Sequence, residues 1–289
     1  METVFCKDCI EWDNEKDLKH PIPPDFSLLE TSIIHRREES IFLEEFHLDR
    51  ILDSAKFFSE YWKDTPEKPF SNIPSRQTIL EIIHKSLTAK IGLSNHQEYF
   101  RVRILMNVSC EITVQLTPEI QNSVNLNDEV PIVVLDKTSL NTHNPFVKYK
   151  TTHRDIYNMS RQRCNVGVNS FDVVLYNKEG FVTESSIANI GIEVPESLLS
   201  CSDSMVKIDF GKVEEKSGEN GDSKGKKIVL TPSLNCGILG GTMRRSLVES
   251  KRAIEGYIRV EDLKAAAKYN MKIFCFNSVR KLYEVRMAA

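Results

Sequence analysis

One short stretch carries the residue types that covalent amine catalysis requires: residues 146–157 read Phe-Val-Lys-Tyr-Lys-Thr-Thr-His-Arg-Asp-Ile-Tyr. A lysine that acts as a nucleophile near neutral pH must be partly desolvated, because only the neutral amine attacks. Lys150 has aromatic and apolar residues before it and hydroxyl residues after it, a setting that favours this chemistry. The same setting is typical of an exposed strand or loop lysine, so the stretch alone leaves both interpretations open.

A second feature suited to chemistry is the glycine pair in residues 240–245, which read Gly-Gly-Thr-Met-Arg-Arg and open a predicted helix. The first amides of a helix have no partner within it, and the positive end of the helix dipole lies beside them. Such a turn can therefore bind a phosphate group. A plain turn between a strand and a helix has the same composition, and it remains the alternative.

The third feature is Glu184, which lies among apolar neighbours in residues 182–189, Val-Thr-Glu-Ser-Ser-Ile-Ala-Asn. A carboxylate buried in such a segment needs a cationic partner. A protonated pyridine nitrogen is one candidate for that partner. A lysine or arginine near the end of a strand is the other.

Together with an arginine fork, these features match what a protein must supply to pyridoxal phosphate. The cofactor supplies an electron sink, whereas the protein supplies an amine, a carboxylate for the ring nitrogen and a cradle for the phosphate. The patterns of a Ser-His-Asp triad and a P-loop are missing from the sequence. Cys6 and Cys9 form only half of a zinc pattern, so we predict no metal site.

The bulk composition excludes several other classes of function. The chain has 289 residues, of which 40% are hydrophobic and 27% charged, and this balance predicts one large or two ordinary globular domains. A formal charge of -3 gives no reason to expect nucleic acid as a partner. No apolar run approaches the roughly 20 residues that span a bilayer, and the polar N-terminus predicts no leader peptide. Seven cysteines without a framework predict free thiols and a cytoplasmic location.

The spacing of apolar residues predicts an α+β fold in two domains. The predicted helices cover residues 44–58, 74–91, 154–163, the segment after 241, and 262–268. The predicted strands cover residues 28–34, 40–43, 99–106, 111–116, 130–135, the hairpin 171–192, 228–232 and 272–279. The predicted domains are a lead-in at 1–25, a small N-terminal unit at 26–138, an interdomain loop at 139–149 and a large C-terminal unit at 150–289.

The order of these features along the chain resembles the class IV (fold type IV) pyridoxal-phosphate enzymes, and most of all their 4-amino-4-deoxychorismate lyase branch. The resemblance is strongest to the lyase-like region that is fused to aminodeoxychorismate synthase in some bifunctional proteins. It extends from Phe26-Ser-Leu-Leu-Glu-Thr31 to Asn277-Ser-Val-Arg280. The matching segments between them are residues 47–55, 149–157, 182–190, 231–232 and 236–242.

The resemblance implies roles for individual residues. Lys150 matches the lysine that binds the cofactor covalently, Arg50 matches the phosphate-binding arginine, and Glu184 matches the partner of the pyridine nitrogen. The other implied residues are the backbone amides of Thr242 and Met243, then Asn277 and Ser278 near the phosphate, and Tyr157, Arg244 and Arg280 toward the substrate. Tyr149 departs from the family pattern, which usually has histidine before the lysine.

The resemblance also implies a fold and an activity. The implied fold has two domains, like D-amino acid aminotransferase, with the cofactor between them and a homodimer as the assembly. The implied reaction acts on a small molecule, 4-amino-4-deoxychorismate, and gives 4-aminobenzoate, a folate precursor, and pyruvate. Two alternatives stay open: an aminotransferase acting on branched-chain or D-amino acids, and a non-catalytic relative that binds pyridoxal phosphate.

Overall fold

A three-stranded antiparallel sheet forms the first unit of the fold. The computed structural model describes residues 20–92, 97–119, 129–168, 170–202, 205–211 and 226–288. The strands of this sheet, in the order in which they pair, are β1 (Ser27–His35), β2 (Tyr99–Asn107) and β3 (Ile112–Glu119). Alternate residues of β2 are buried, as its apolar/polar alternation predicts.

Two helices, α1 (Glu44–Tyr61) and α2 (Arg76–Ile91), pack against this sheet. Their buried side chains recur three and four residues apart, which puts them on one face of each helix. The Ser75 hydroxyl accepts a hydrogen bond from the Thr78 amide at 3.1 Å and so caps the start of α2. Both helices confirm the helical spacing that the sequence shows.

Residues 40–43 do not form the strand that the sequence predicts. The segment leads into α1 without regular structure, and Leu43 adopts a left-handed backbone with φ 58°. The predicted strand at 40–43 is wrong: β1, which precedes it, pairs along its whole length with β2, from Ser27 opposite Asn107 to His35 opposite Tyr99. The apolar character of the segment instead serves the core, where Ile41 is buried.

An eight-stranded mixed sheet forms the second unit, and its strands pair in the order β11-β10-β7-β12-β13-β4-β5-β6. In chain order these strands are β4 (Ile132–Leu135), β5 (Asp172–Tyr176), β6 (Val182–Ser185), β7 (Asn189–Pro195), β10 (Lys227–Pro232), β11 (Ala253–Gly256), β12 (Ile273–Asn277) and β13 (Lys281–Met287). A separate two-stranded hairpin consists of β8 (Leu199–Ser202) and β9 (Met205–Ile208). Only three residues join β6, the last strand in this order, to β7, the third. The two strands therefore lie close together, and the sheet curls.

Within the described residues, four helices accompany this sheet: α3 (Pro145–Lys148), α4 (Asp155–Arg163), α5 (Thr242–Glu249) and α6 (Val260–Lys268). Two short 3₁₀ helices lie at Glu196–Leu198 and Leu234–Cys236. The sequence predicted α4, α5 and α6 but not the strands β8, β9, β11 and β13. Among the described residues, no helix has the length and apolar character needed to cross a membrane.

The two units meet at Lys150. The Leu29 amide of β1 donates to the Lys150 carbonyl at 3.0 Å, and the Thr152 amide donates to the Ser27 carbonyl at 2.9 Å. Strand β4 lies in the segment assigned to the first unit by sequence, yet it pairs with β13 and β5. Its hydrogen bonds therefore place residues 132–135 in the second sheet.

Candidate active site

Lys150 lies at the junction of the two sheets, where its backbone is fixed by the pairing with β1. Burial lowers the pKa of its amine to about 8, and the positive charges of Arg50 and Arg154 add to this effect. Among the described residues, no side chain forms a hydrogen bond or an ion pair with the amine. An amine of this kind is available as a nucleophile or a base near neutral pH.

Arg50 lies in the second turn of α1 and forms a two-pronged ion pair with Glu30 of β1. Its Nε donates to Glu30 Oε1 at 2.8 Å, and its Nη2 donates to Oε2. The His47 Nδ1 lies 2.6 Å from the same Oε2. Burial alone would raise the pKa of Glu30, but Arg50 and His47 outweigh it and hold that pKa at about 2.

The start of α5 lies against this ion pair. Arg50 Nη1 donates to the Gly240 carbonyl at 3.1 Å, and His47 Nε2 lies 3.5 Å from the Thr242 hydroxyl. The Thr242 hydroxyl also hydrogen-bonds to the Ser278 hydroxyl. The structure therefore brings the guanidinium of Arg50 together with the first turn of a helix, a combination that suits a phosphate.

Gly241 is required by close packing just before this helix. A Cβ at this position would lie 1.9 Å from Asn189 Oδ1, so any other residue would displace the asparagine. No side chain caps the helix at Gly241, which leaves the first amides of α5, including those of Thr242 and Met243, available to an anion. Gly241 thus has a structural reason beyond ordinary turn geometry.

Glu184 is buried at the end of β6 and is hydrogen-bonded by neutral groups. Tyr157 donates its hydroxyl to Oε1 at 2.8 Å, the Leu239 amide donates to Oε1 at 3.3 Å, and Asn189 Nδ2 donates to Oε2 at 3.4 Å. Burial raises the pKa of Glu184 to about 7. Within the part of the chain that the structure describes, no cationic side chain forms an ion pair with it.

Comparison with known sequences identifies the family. The sequence profile of the Amino-transferase class IV family matches residues 28–287, which is most of the chain. The chain belongs to the class IV aminotransferase family.

Relatives of this class IV chain include both lyases and aminotransferases. A protein of Schizosaccharomyces pombe named "Putative aminodeoxychorismate lyase" is 27% identical over 263 residues, which cover 89% of this chain and 87% of the relative. The structure is also similar to that of 4-amino-4-deoxychorismate lyase from Pseudomonas aeruginosa, with a TM-score of 0.58 and 13% identity, covering 90% of this chain and 82% of that one. A protein described as a hypothetical aminotransferase from Mycobacterium tuberculosis, in its pyridoxal-phosphate-bound form, gives a TM-score of 0.61 at 17% identity, covering 90% of this chain and 81% of that one. The architecture is therefore that of fold type IV.

Two arginines predicted for this class IV site have structural contacts of their own. Arg244 is buried, and its Nη2 donates to the Pro232 carbonyl at 2.7 Å and to the Glu255 carboxylate. The guanidinium of Arg280 lies over the Phe171 ring, 5.4 Å from its centroid, and its Nε has no hydrogen-bond partner among the described residues. Arg244 is therefore held by protein contacts, whereas the role of Arg280 toward the substrate stays a prediction.

Asn277 and Ser278 lie in the turn between β12 and β13. The Asn277 Oδ1 accepts the amides of Val279 and Arg280 at 3.0 and 2.8 Å, and its Nδ2 donates to the Ile187 carbonyl at 3.1 Å. Asn277 therefore shapes the turn and fastens it to the loop after Glu184. Ser278 reaches the helix start through its bond to Thr242.

Sequence reasoning assigned no role to three other side chains of the site: Glu30, His47 and Asn189. Glu30 carries a signal, because it lies in the apolar run Leu28-Leu29-Glu30, where a charged residue is buried only with a partner. The others have no comparable signal, since their roles depend on contacts between segments distant in sequence.

Proposed function

We propose that this protein is a pyridoxal-phosphate-dependent lyase that converts 4-amino-4-deoxychorismate into 4-aminobenzoate and pyruvate. The observation that carries the proposal is the unpartnered amine of Lys150, with its lowered pKa, between a helix start and a buried carboxylate. The similarity to the S. pombe protein of that name supports the choice of substrate.

Each part of the site fits one part of the cofactor. Arg50 and the first amides of α5 would hold the phosphate, and Lys150 would hold the carbonyl carbon. Glu184 has no cationic partner among the described residues, so the protonated ring nitrogen would supply the charge that this carboxylate needs. When bound, pyridoxal phosphate supplies an electron sink for the reacting carbon.

The protein's own contribution to the reaction is proton transfer and positioning. Because its pKa is about 8, the Lys150 amine exists partly in the neutral form near neutral pH and can take the proton from the substrate carbon that bears the amino group. Such proton transfer contributes about 10²–10⁴-fold to the rate. Breaking the ether bond then releases pyruvate, and the ring that remains becomes aromatic, which supplies the driving force.

An assay of two reactions tests this proposal. Purified protein supplied with pyridoxal phosphate should gain an absorbance band near the visible edge, and Lys150→Ala should remove that band and the activity. The wild-type protein should release pyruvate and 4-aminobenzoate from aminodeoxychorismate. Amino-group transfer from branched-chain or D-amino acids without pyruvate release would instead identify an aminotransferase. Absence of the band would contradict the proposal at its first step.

We also propose that the enzyme is a cytoplasmic homodimer. The five cysteines among the described residues are all free thiols, as expected of a reducing compartment. Sedimentation equilibrium of the purified protein tests the assembly, since a mass of one 33.1 kDa chain would contradict the dimer.

A further inference from the structure

Arg154 lies beside Glu184 without being bonded to it. Its Nη2 donates to the Ser186 carbonyl at 2.5 Å, and its guanidinium lies over the Tyr157 ring, 4.7 Å from the centroid. The Tyr157 hydroxyl in turn donates to Glu184 at 2.8 Å. Tyr157 therefore contacts the Arg154 guanidinium through its ring and the Glu184 carboxylate through its hydroxyl.

The backbone fixes Arg154 relative to Lys150, which precedes it by four residues. The Thr152 amide is tied to the Ser27 carbonyl, and the Thr151 hydroxyl donates to the His153 carbonyl at 3.2 Å. The Arg154 carbonyl then accepts the Asn158 amide at 2.9 Å as α4 begins. Lys150 and Arg154 are therefore held at the two ends of one short, tethered turn.

Arg154 combines a fixed position near Glu184 with unused donors. Arg244 is buried against Glu255, and Arg280 lies over Phe171 with its Nε buried and without a hydrogen-bond partner among the described residues. The Arg154 side chain is only partly buried, and its Nε and Nη1 have no partner among the described residues. Two donors of a positioned guanidinium remain available to a ligand.

The charge of Arg154 acts on both residues that bracket the candidate cofactor position. After burial and Arg50, it is the next cause that lowers the pKa of Lys150. It also opposes the rise that burial causes in the pKa of Glu184. Because the charge of Arg154 affects both Lys150 and Glu184, the guanidinium lies close to a ligand bound between these two residues.

We propose that Arg154 is the counter-ion of the 3-oxygen on the pyridine ring of the bound cofactor, an inference that rests on the proposed function. In pyridoxal phosphate the aldehyde carbon that lysine attacks is bonded to the ring carbon that lies opposite the ring nitrogen. One flank between them bears the phosphate arm, and the other bears the 3-oxygen. Arg50 and α5 serve the phosphate flank, so the anionic oxygen on the other flank needs its own cation, and Arg154 supplies it.

A double-mutant cycle between protein and ligand tests this contact. The ligands are pyridoxamine 5'-phosphate, which forms no covalent bond with lysine, and its 3-deoxy analogue. In cofactor-free protein, Arg154→Met should weaken binding of the parent ligand by about tenfold, the usual loss for a charge-assisted hydrogen bond. Binding of the 3-deoxy analogue should not change, and Arg154→Lys should keep part of the parent's affinity. An equal loss for both ligands would overturn the proposal.

A spectroscopic measurement on the holoenzyme provides a second readout. A cation beside the oxygen disfavours its protonated form, so Arg154→Gln should raise the pH midpoint of the bound cofactor's absorbance change by about one unit. An unchanged midpoint would overturn the proposal. If the Arg154 variant bound cofactor normally but bound 4-aminobenzoate more weakly, the proposal would also be overturned, because Arg154 would then bind a substrate carboxylate. Failure of the wild-type protein to bind pyridoxamine 5'-phosphate would instead contradict the proposed function itself.

Discussion

The site contains two buried carboxylates, Glu30 and Glu184, whose pKa values are shifted in opposite directions. Glu30 is 2% exposed and Glu184 is 3% exposed, so the loss of hydration is similar for both. Yet the pKa of Glu30 is held at about 2, whereas that of Glu184 is raised to about 7. Burial is the first cause at both positions, so the difference must come from what each carboxylate contacts.

Glu30 receives its counter-charge from the chain itself, through the fork of Arg50. Glu184 receives hydrogen bonds from Tyr157, Asn189 and a backbone amide, but no ion pair from the described residues. Glu30 is therefore compensated within the protein, and it positions Arg50. Glu184 has no such counter-charge among the described residues, and under the proposed function the ring nitrogen of the cofactor would supply it.

The largest expected effect that separates the two carboxylates is on turnover. Glu184→Gln should lower kcat about 1000-fold, roughly 4 kcal/mol of activation free energy, because an amide cannot hold a proton on the ring nitrogen. Cofactor should still bind, since Arg50, α5 and Lys150 are unchanged. The measurements are pyruvate release under saturating substrate and the absorbance of bound cofactor.

The control for turnover is Glu60→Gln, the same chemical change at a side chain that is 73% exposed and forms an ion pair with Lys63. Its kcat should match that of the wild type. If Glu184→Gln retained wild-type kcat, Glu184 would have no role at the ring nitrogen, and the distinction between the two carboxylates would lose its functional meaning.

The next effect is on stability and concerns Glu30. Its pKa is about 2 in the folded protein against an ordinary value of 4.5, so the ionised carboxylate stabilises the fold above pH 4.5. Glu30→Gln should therefore lower the free energy of unfolding at neutral pH by about 3 kcal/mol. Urea unfolding of cofactor-free protein measures this loss, which should shrink as the pH falls from 4.5 toward 2. A loss below about 0.5 kcal/mol, as expected for the exposed Glu60→Gln, would show that Arg50 does not depend on Glu30.

The same substitution at Glu184 should have the opposite effect on the free energy of unfolding. Since the folded pKa of about 7 exceeds 4.5, the folded state binds this proton more tightly, and stability is lost as the pH rises through that range. In cofactor-free protein, Glu184→Gln should increase the free energy of unfolding by about 2 kcal/mol near pH 8, with no gain near pH 4. A destabilisation near pH 8 would mean that Glu184 has an adequate counter-charge within the protein.

The sequence distinguishes these two carboxylates only in part. The apolar neighbours of Glu184 predicted both its burial and its need for a cation, and its position agrees with that expectation. The pairing of Glu30 with Arg50 could not be foreseen, because 20 residues separate them and the contact depends on how α1 packs on β1. The contact between His47 and Thr242 spans 195 residues and has no local signal.

The fold shows the same division between local and distant causes. Helices α1 and α2 follow from the spacing of their apolar residues alone. Residues 40–43 are apolar because they cover the core, so their composition suggested a strand that is not present. Strand β13 has alternating burial that a test for a period of two could have detected, whereas the placement of β4 depends on distant partners.

The smallest expected effect concerns the neutral hydrogen bonds that Glu184 receives. Tyr157→Phe removes the 2.8 Å bond to Oε1, so the pKa of Glu184 should rise further, and the free energy of unfolding near pH 8 should fall by about 1 kcal/mol. The matched control is Tyr283→Phe, because the buried Tyr283 hydroxyl has only the Cys275 thiol, a weak hydrogen-bonding group, as a neighbour of this kind among the described residues. Removing that weakly paired hydroxyl should leave stability nearly unchanged. If both variants lost equal stability, the loss would come from changing a buried aromatic side chain and not from the hydrogen bond. The Tyr157 hydroxyl would then not stabilise the Glu184 carboxylate in the cofactor-free protein.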